Sequence, residues 1–188
     1  RDFTMNALYA GADGALFDPL GGLADCLARR VRFIGDADAR IAEDRLRVYR
    51  YFRFCATHGE EMFDAEALAA CGRAAATLGQ ISAERVGSEM LKLLGAPRCT
   101  RALEAMCRLS ILPPDLVPPA ALAALGRLDA GDAASRMAIF VAQGTGIFLL
   151  QTRWRLSNGL RRQVEQLARG ASLAAEGKLK ELVYRFPE

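Results

Sequence analysis

From Asp36 onward, apolar side chains recur every three or four positions, in segments parted by Gly and Pro. That spacing lines one face of successive helices and leaves no alternating run from which a sheet could be built. The expected fold is therefore mainly α. Asp36 or Asp38 is placed to cap a helix reaching His58, with Gly59 as its stop. Further helices are expected over 64–78, from Ser82 to 94, over 97–112 up to Pro113-Pro114, and after Pro118-Pro119. Three more follow over 132–143, 146–156 and 158–169.

The first 35 residues read differently. A short helix is expected over 3–10, then a turn at Asp13-Gly14, a strand over 15–17 and a second turn across Pro19, Gly21 and Gly22. "LADCLARR" returns to helical spacing, and "VRFIG" is a short β-branched strand. These are too few strands for a free-standing sheet, so the segment reads as a small α/β remnant. The working division is 1–35, 36–95 and 96–188, with no clean internal repeat and no low-complexity segment. The chain opens on "RDFTMNAL" rather than on a methionine, and we expect it to be a piece of a longer protein.

A 52% hydrophobic content supplies a core without staples. Five cysteines, an odd number, show no C-x-x-C pairing, and there is one histidine, His58. A zinc site is not expected; buried free thiols in a reducing cytoplasm are. No apolar run reaches membrane-spanning length. The net charge is only +3, yet arginines crowd two zones, 29–53 and the last forty residues. A localised anionic partner, nucleic acid or nucleotide phosphate, follows from that unevenness.

"RIAEDRLRVYRYFRF" (40–54) holds the densest of these zones, with Arg47, Arg50 and Arg53 three apart among Tyr49, Tyr51, Phe52 and Phe54. On one helix, Asp44 and Arg47 would be neighbours on a single face. The plain account is an intrahelical ion pair on a solvated surface, worth a few tenths of a kcal/mol. The functional account is more specific. A carboxylate acceptor beside a guanidinium donor matches the amino donor and ring-nitrogen acceptor of cytosine and adenine. Guanine and uracil present the reverse order and would leave buried polar groups unpaired. Arg50 and Arg53 would then be free to hold triphosphate oxygens in bidentate contacts.

Here the sequence resembles a family. "EDRLR" (43–47) is similar to the E-D-x-x-R motif of class II tRNA nucleotidyltransferases, the CCA-adding enzymes, and their poly(A) polymerase relatives. "RDFTMNAL" (1–8) resembles R-R-D-F-T-x-N-A without its first arginine. "DPLGGLADC" (18–26) resembles D-x-x-G-G-x-x-D-L with Cys26 at the leucine, and "ISAERVGSEMLKLL" (81–94) resembles the neck motif S-x-E-R-[IV]-x-x-E. The likeness covers about 1–95 and thins beyond to "RWRLSNGLRR" (153–162). It implies the end of a nucleotidyltransferase head followed by a helical neck and body, and addition of CCA to tRNA 3′ ends from CTP and ATP. Bacterial poly(A) polymerase, or a non-catalytic helical RNA-binding module, are the alternatives.

The resemblance also implies roles. Arg1 contacts the incoming nucleotide, Asp2 helps in sugar recognition, Asp44 and Arg47 read the base edge, and Arg50 and Arg53 support phosphates. Glu84 and Arg85 are candidate orienting groups, with an ordinary surface ion pair as their plain account. The family's reaction is in-line attack of an RNA 3′-hydroxyl on an α-phosphate, supported by Mg²⁺ on paired carboxylates. Those ligands are expected upstream of Arg1, so no catalytic or metal-binding residue is assigned within these residues, and the 188 residues alone are expected to transfer no nucleotide. The one D-x-D, Asp36-Ala37-Asp38, is read as a helix cap.

Other residues carry less. His58 reads as a helix-end surface histidine, Ser88 lacks a histidine partner, and "GTGIF" (144–148) reads as a helix junction. Trp154 either stacks on RNA or packs in the bundle. The basic residues 161–185 either face tRNA phosphates or water.

Overall fold

The computed structural model describes residues 1–60, 62–127 and 131–178. The helices that the periodicity demands are present: α1 (Gly22–Leu27), α2 (Ala37–Glu43), α3 (Arg47–His58), α4 (Ala65–Ala74), α5 (Ala83–Leu94), α6 (Cys99–Arg108), α7 (Pro119–Leu125), α8 (Ala133–Ala142), α9 (Ile147–Trp154) and α10 (Asn158–Ala175). Their starts are chemically set. Asp36, Asp64, Asp132 and Ser157 each accept an amide hydrogen from the first turn, a contact worth about 1 kcal/mol. A 3₁₀ turn (Ala75–Gln80) follows α4, and α10 continues to Ala175, past the expected end near 169.

Two expectations need correction. The helix expected over 3–10 is a 3₁₀ turn, Thr4–Asn6, followed by strand β1 (Tyr9–Ala10). This strand pairs antiparallel with β2 (Leu16–Phe17), Tyr9 opposite Phe17. Extended pairing wins because the Thr4 amide donates to the Arg32 carbonyl (3.0 Å) and the Ile34 amide to that of Asp2 (3.1 Å). The strand expected in "VRFIG" accordingly shrinks to one bridge, Phe3 to Phe33. The second correction falls on the arginine-rich stretch. It is two helices, not one, because the chain leaves the helix at Asp44 (φ −151°, ψ 105°). Asp44 Oδ1 accepts the Leu46 amide hydrogen at 3.1 Å, a local side-chain bond that competes with the helical ladder.

The N-terminal segment is clasped to the helices by aromatic rings. Phe3 lies 5.1 Å from Phe33 and Phe33 stacks at 5.6 Å on Tyr51 of α3. Asp18 accepts the amide hydrogens of Gly22 (2.7 Å) and Leu23 (2.9 Å), capping α1. Gly22 passes so close to Thr4 that a Cβ would sit 2.0 Å from its carbonyl oxygen. Buried Asp25 then accepts from Thr4 Oγ1 (2.5 Å) and from Nε (3.0 Å) and Nη2 (2.8 Å) of Arg32. The D-x-x-G-G-x-x-D spacing thus serves the folding of this corner.

Helix α3 is central and packs on α5 and α6; α5 in turn meets α8 and α9, and α10 lies along α8. One hydrophobic core runs from Phe3 to Ala168, with Tyr51, Phe52, Met90, Leu103, Phe140 and Leu150 fully enclosed. Trp154 is 2% exposed, edge-on to Phe140 at 6.4 Å, so it belongs to the bundle interior. Arg136 of α8, also buried, donates to the carbonyls of Leu94 and Ala96 and so closes the C-terminal end of α5. Cys55, Cys71 and Cys99 are buried free thiols, but Cys26 is exposed. Burial pushes the Cys55 thiol up to about 12, leaving it protonated and unreactive. Among the described residues no helix is long and apolar enough to cross a membrane.

Candidate nucleotide-recognition site

The amphipathic logic of α3 settles what the arginine stripe meets. Val48, Tyr49, Tyr51, Phe52, Cys55 and Ala56 face the core, and Arg47, Arg50 and Arg53 are left to the opposite flank. There they meet carboxylates from three different elements. Arg47 donates through Nε to Asp2 Oδ1 (3.0 Å) and through Nη1 to Glu43 Oε2 and the Arg40 carbonyl (both 2.5 Å). Arg50 Nε donates to Asp2 Oδ2 (2.5 Å). Arg53 Nε donates to Glu89 Oε2 (2.5 Å), and its guanidinium lies 4.4 Å from the Phe54 ring centre. Arg50 and Arg53 are therefore tied at Nε, not free as the sequence suggested, and only their terminal amines are left for a ligand.

Asp44 stands at the joint between α2 and α3. Its Oδ2 accepts from Nη2 of Arg85 at 2.7 Å, so both carboxylate oxygens are held. Its side chain keeps 35% of its exposure. The side chains of Asp44 and Arg47 make no ion pair with each other among the described residues; they adjoin, each anchored by other groups. Arg85 holds Asp44 as an orienting group would. Glu84 lies apart, 3.0 Å from Arg155 and largely exposed.

Sequence reasoning missed Glu89 and Glu43. Glu89 is the buried carboxylate of α5 that receives Arg53, with Lys92 at 3.5 Å and Arg50 at 4.0 Å. Its position as the last letter of S-x-E-R-[IV]-x-x-E was the available signal. Glu43 bridges Arg40, three residues before it on α2 (2.6 Å), and Arg47 across the joint at the start of α3. Arg1 is exposed, and its carbonyl accepts from Arg40 Nη2 at 2.7 Å.

The electrostatics are one-sided. Burial opposes ionisation of Asp2, but the hydrogen bonds and charges of Arg50 and Arg47 outweigh it and hold the carboxyl below its ordinary 3.8. At Asp44 desolvation is likewise overcome, by the Arg85 hydrogen bond, the Leu46 amide and the nearby charges of Arg85 and Arg47. At Arg47 burial is outweighed by Glu43 and Asp2, and the guanidinium is held charged more firmly than usual. These carboxylates stay ionised down to lower pH in the folded chain than in the unfolded one. Their contribution is complete above about pH 4 and lost as pH falls through the depressed values. Urea midpoints should therefore fall steeply only below about pH 4, and Asp2→Asn should flatten that fall.

The described residues offer no cluster suited to a metal ion. Among the described residues no three His, Cys, Asp or Glu side chains converge. Asp36 caps α2, accepting from the Ala39 amide at 2.7 Å, and Asp38 receives Arg73 at 3.0 and 2.6 Å. A cleft of about 290 Å³ behind α3, lined by Tyr49, Ile81, Val86, Leu112 and Arg153, is separate from the arginine–carboxylate row.

Residues 62–120 match the family model described as "Probable RNA and SrmB- binding site of polymerase A". The mitochondrial CCA tRNA nucleotidyltransferase 1 of Mus musculus is 38% identical over 115 residues, 60% of this chain and 26% of that protein. The CCA-adding enzyme of a Geobacillus strain is 44% identical over 103 residues, 55% of this chain and 25% of that protein. The crystal structure of the Bacillus stearothermophilus CCA-adding enzyme in complex with CTP superposes with a TM-score of 0.74, at 30% identity. That match covers 93% of this chain and 46% of that one. The fold is that of a helical neck and body with a small α/β head segment. Over these spans the chain is similar to the class II CCA-adding enzymes and their poly(A) polymerase relatives. It spans about a quarter of the length of the curated relatives it matches.

Proposed function

We propose that this chain is part of a template-independent RNA nucleotidyltransferase that adds CCA to tRNA 3′ ends from CTP and ATP. The observation that carries the reading is the joint at Asp44. An ionised carboxylate gripped by Arg85 and the Leu46 amide stands beside a guanidinium gripped by Asp2 and Glu43. Together they offer the acceptor and donor that a cytosine or adenine edge needs. Groups already fixed before a ligand arrives lose little entropy on binding and penalise a mismatched base. Arg1 and the terminal amines of Arg50 and Arg53 lie along the same flank as candidates for triphosphate oxygens.

The tRNA would lie on the second basic zone. Arg153, Arg155, Arg162 and Arg169 are exposed around the α9–α10 corner. Phe148, 68% exposed, projects there with the Arg161 guanidinium 5.6 Å from its ring. Such a mixture suits phosphate contacts and base stacking; the basic residues beyond 178 lie outside the described residues. Mg²⁺ would be held by carboxylates upstream of Arg1. Buried reduced thiols support a cytoplasmic setting, while the match to a mitochondrial relative supports an organellar one.

A bacterial poly(A) polymerase is the second reading, favoured by the family model matched at 62–120. The full-length protein, supplied with CTP and ATP and a tRNA lacking its terminal triplet, separates the two. Addition of two C residues and one A is the expected result. Long tails of A alone would transfer the assignment to the poly(A) polymerases. Lack of any transfer, with no Gly-Ser turn and D-x-D upstream in the gene, would favour a non-catalytic RNA-binding module.

A further inference from the structure

We infer that the cleft between α3, α5 and the end of α9 is a second binding site, one that takes a small acid with an apolar body of one ring or a short branched chain. The cleft lies apart from the arginine–carboxylate row. Except for Arg153 at its mouth, none of the roles proposed above uses it.

Its volume is about 290 Å³, which suits a small ligand. Five parts of the fold meet around it: Tyr49 of α3, the 3₁₀ turn Ala75–Gln80, Val86 of α5, the 111–116 segment, and Thr152 and Arg153 of α9. Leu78, Ile81, Val86, Leu112 and Leu116 make its walls apolar, and among the described residues no Asp or Glu lines it. Walls of this kind favour a hydrocarbon body. A group polar on every side, such as a nucleobase, would find too few partners there.

The polar groups at the cleft are few, and the two that matter are donors. Tyr49 is 7% exposed, yet its hydroxyl makes no hydrogen bond among the described residues. That oxygen is not sealed off, since Arg40 Nε is the one fully enclosed side-chain polar atom without a partner among the described residues. It opens onto the cleft that the side chain lines. A largely buried hydroxyl that no protein group satisfies calls for a partner from outside.

Arg153 supplies the charge. It is exposed and has no hydrogen bond or ion pair among the described residues, whereas the neighbouring Arg155 is taken by Glu84 at 3.0 Å. Its charge reaches the phenol: burial pushes the Tyr49 pKa up, and Arg153 draws it partly back. The hydroxyl stays protonated at neutral pH, so both groups donate. A ligand atom shared between them must accept, and a carboxylate accepts most strongly beside a guanidinium. An apolar body under the leucines with its carboxylate between Tyr49 and Arg153 satisfies both groups at once.

The test is titration of the full-length protein with hydrocinnamate, a phenyl ring on a short carboxylate arm, followed by ligand-observed NMR. Hydrocinnamide is the uncharged match. The acid should bind saturably with a Kd of about 1 mM, as suits so small a ligand, and the amide about ten-fold more weakly. Arg153→Gln should weaken the acid about ten-fold and leave the amide within about two-fold. Tyr49→Phe should weaken the acid about five-fold and melt no lower than wild type, because the hydroxyl it removes has no protein partner. Absence of saturable binding, an acid and an amide that bind alike, or variants that bind the acid as wild type does would each overturn the inference. A loss confined to one variant would overturn it as well, since the anion would then lie outside the cleft or away from the guanidinium. Should a variant fail to fold, as judged by its thermal melt, the comparison of acid with amide on the wild-type protein decides.

Discussion

Asp44→Ala in the full-length protein will lower turnover with CTP and ATP and, in the same step, relax the exclusion of UTP and GTP. In the proposed reading the wild-type carboxylate would accept from an exocyclic amino group and confront the carbonyl of uracil or guanine with a second acceptor. Removing it withdraws both effects. The CTP:UTP ratio in kcat/KM should fall about 100-fold, the scale on which a buried polar mismatch operates. Folding should survive, because the ion pair lost with Arg85 is half exposed (52% and 35%) and worth under about 1 kcal/mol. A melting temperature near that of wild type would locate the defect in recognition. Unchanged nucleotide selectivity would remove Asp44 from the reading pair.

The largest expected effect on stability lies at Gly87, inside the neck motif and away from the arginine row. A Cβ there would stand 1.9 Å from the carbonyl oxygen of Trp154 and 2.6 Å from its carbon. Both are backbone atoms, so no side-chain rotation relieves the clash, and α5 must part from α9. Trp154 and Leu150, both in the core, would lose their packing. Gly87→Ala should cost about 3 kcal/mol, lowering the melting temperature by roughly 6–12 °C for a chain of this length. Gly79→Ala, where an added methyl meets nothing within 4 Å, is the control and should melt close to wild type. Equal melting of the two variants would mean that α5 and α9 do not approach as closely as described.

Helical periodicity made most of the fold legible, because capped amphipathic helices are specified locally. The failures lie where a contact distant in sequence decides. Residues 3–10 carry helix-compatible composition, but across the corner the Thr4 amide is claimed by the Arg32 carbonyl and the Asp2 carbonyl by the Ile34 amide. The break at Asp44 carries no Gly or Pro to announce it; only the short carboxylate reaching the Leu46 amide does. Within the site, the spacing of Arg47, Arg50 and Arg53 was readable. Their partners were not, since Asp2 and Glu89 are 45 and 36 residues away from the arginines they bind. Glu84 was named with Arg85 as a candidate orienting group, but the turn of α5 buries Glu89 toward α3 and leaves Glu84 at the rim.

The interruption between α2 and α3 has a mechanical result. A donor and an acceptor on one rigid rod keep a fixed separation. Here the guanidinium belongs to the second rod, while the carboxylate sits on the hinge pin between the two. Their spacing is set instead by clamps across the joint, with the Arg40 carbonyl and Glu43 of the first rod gripping Arg47 of the second.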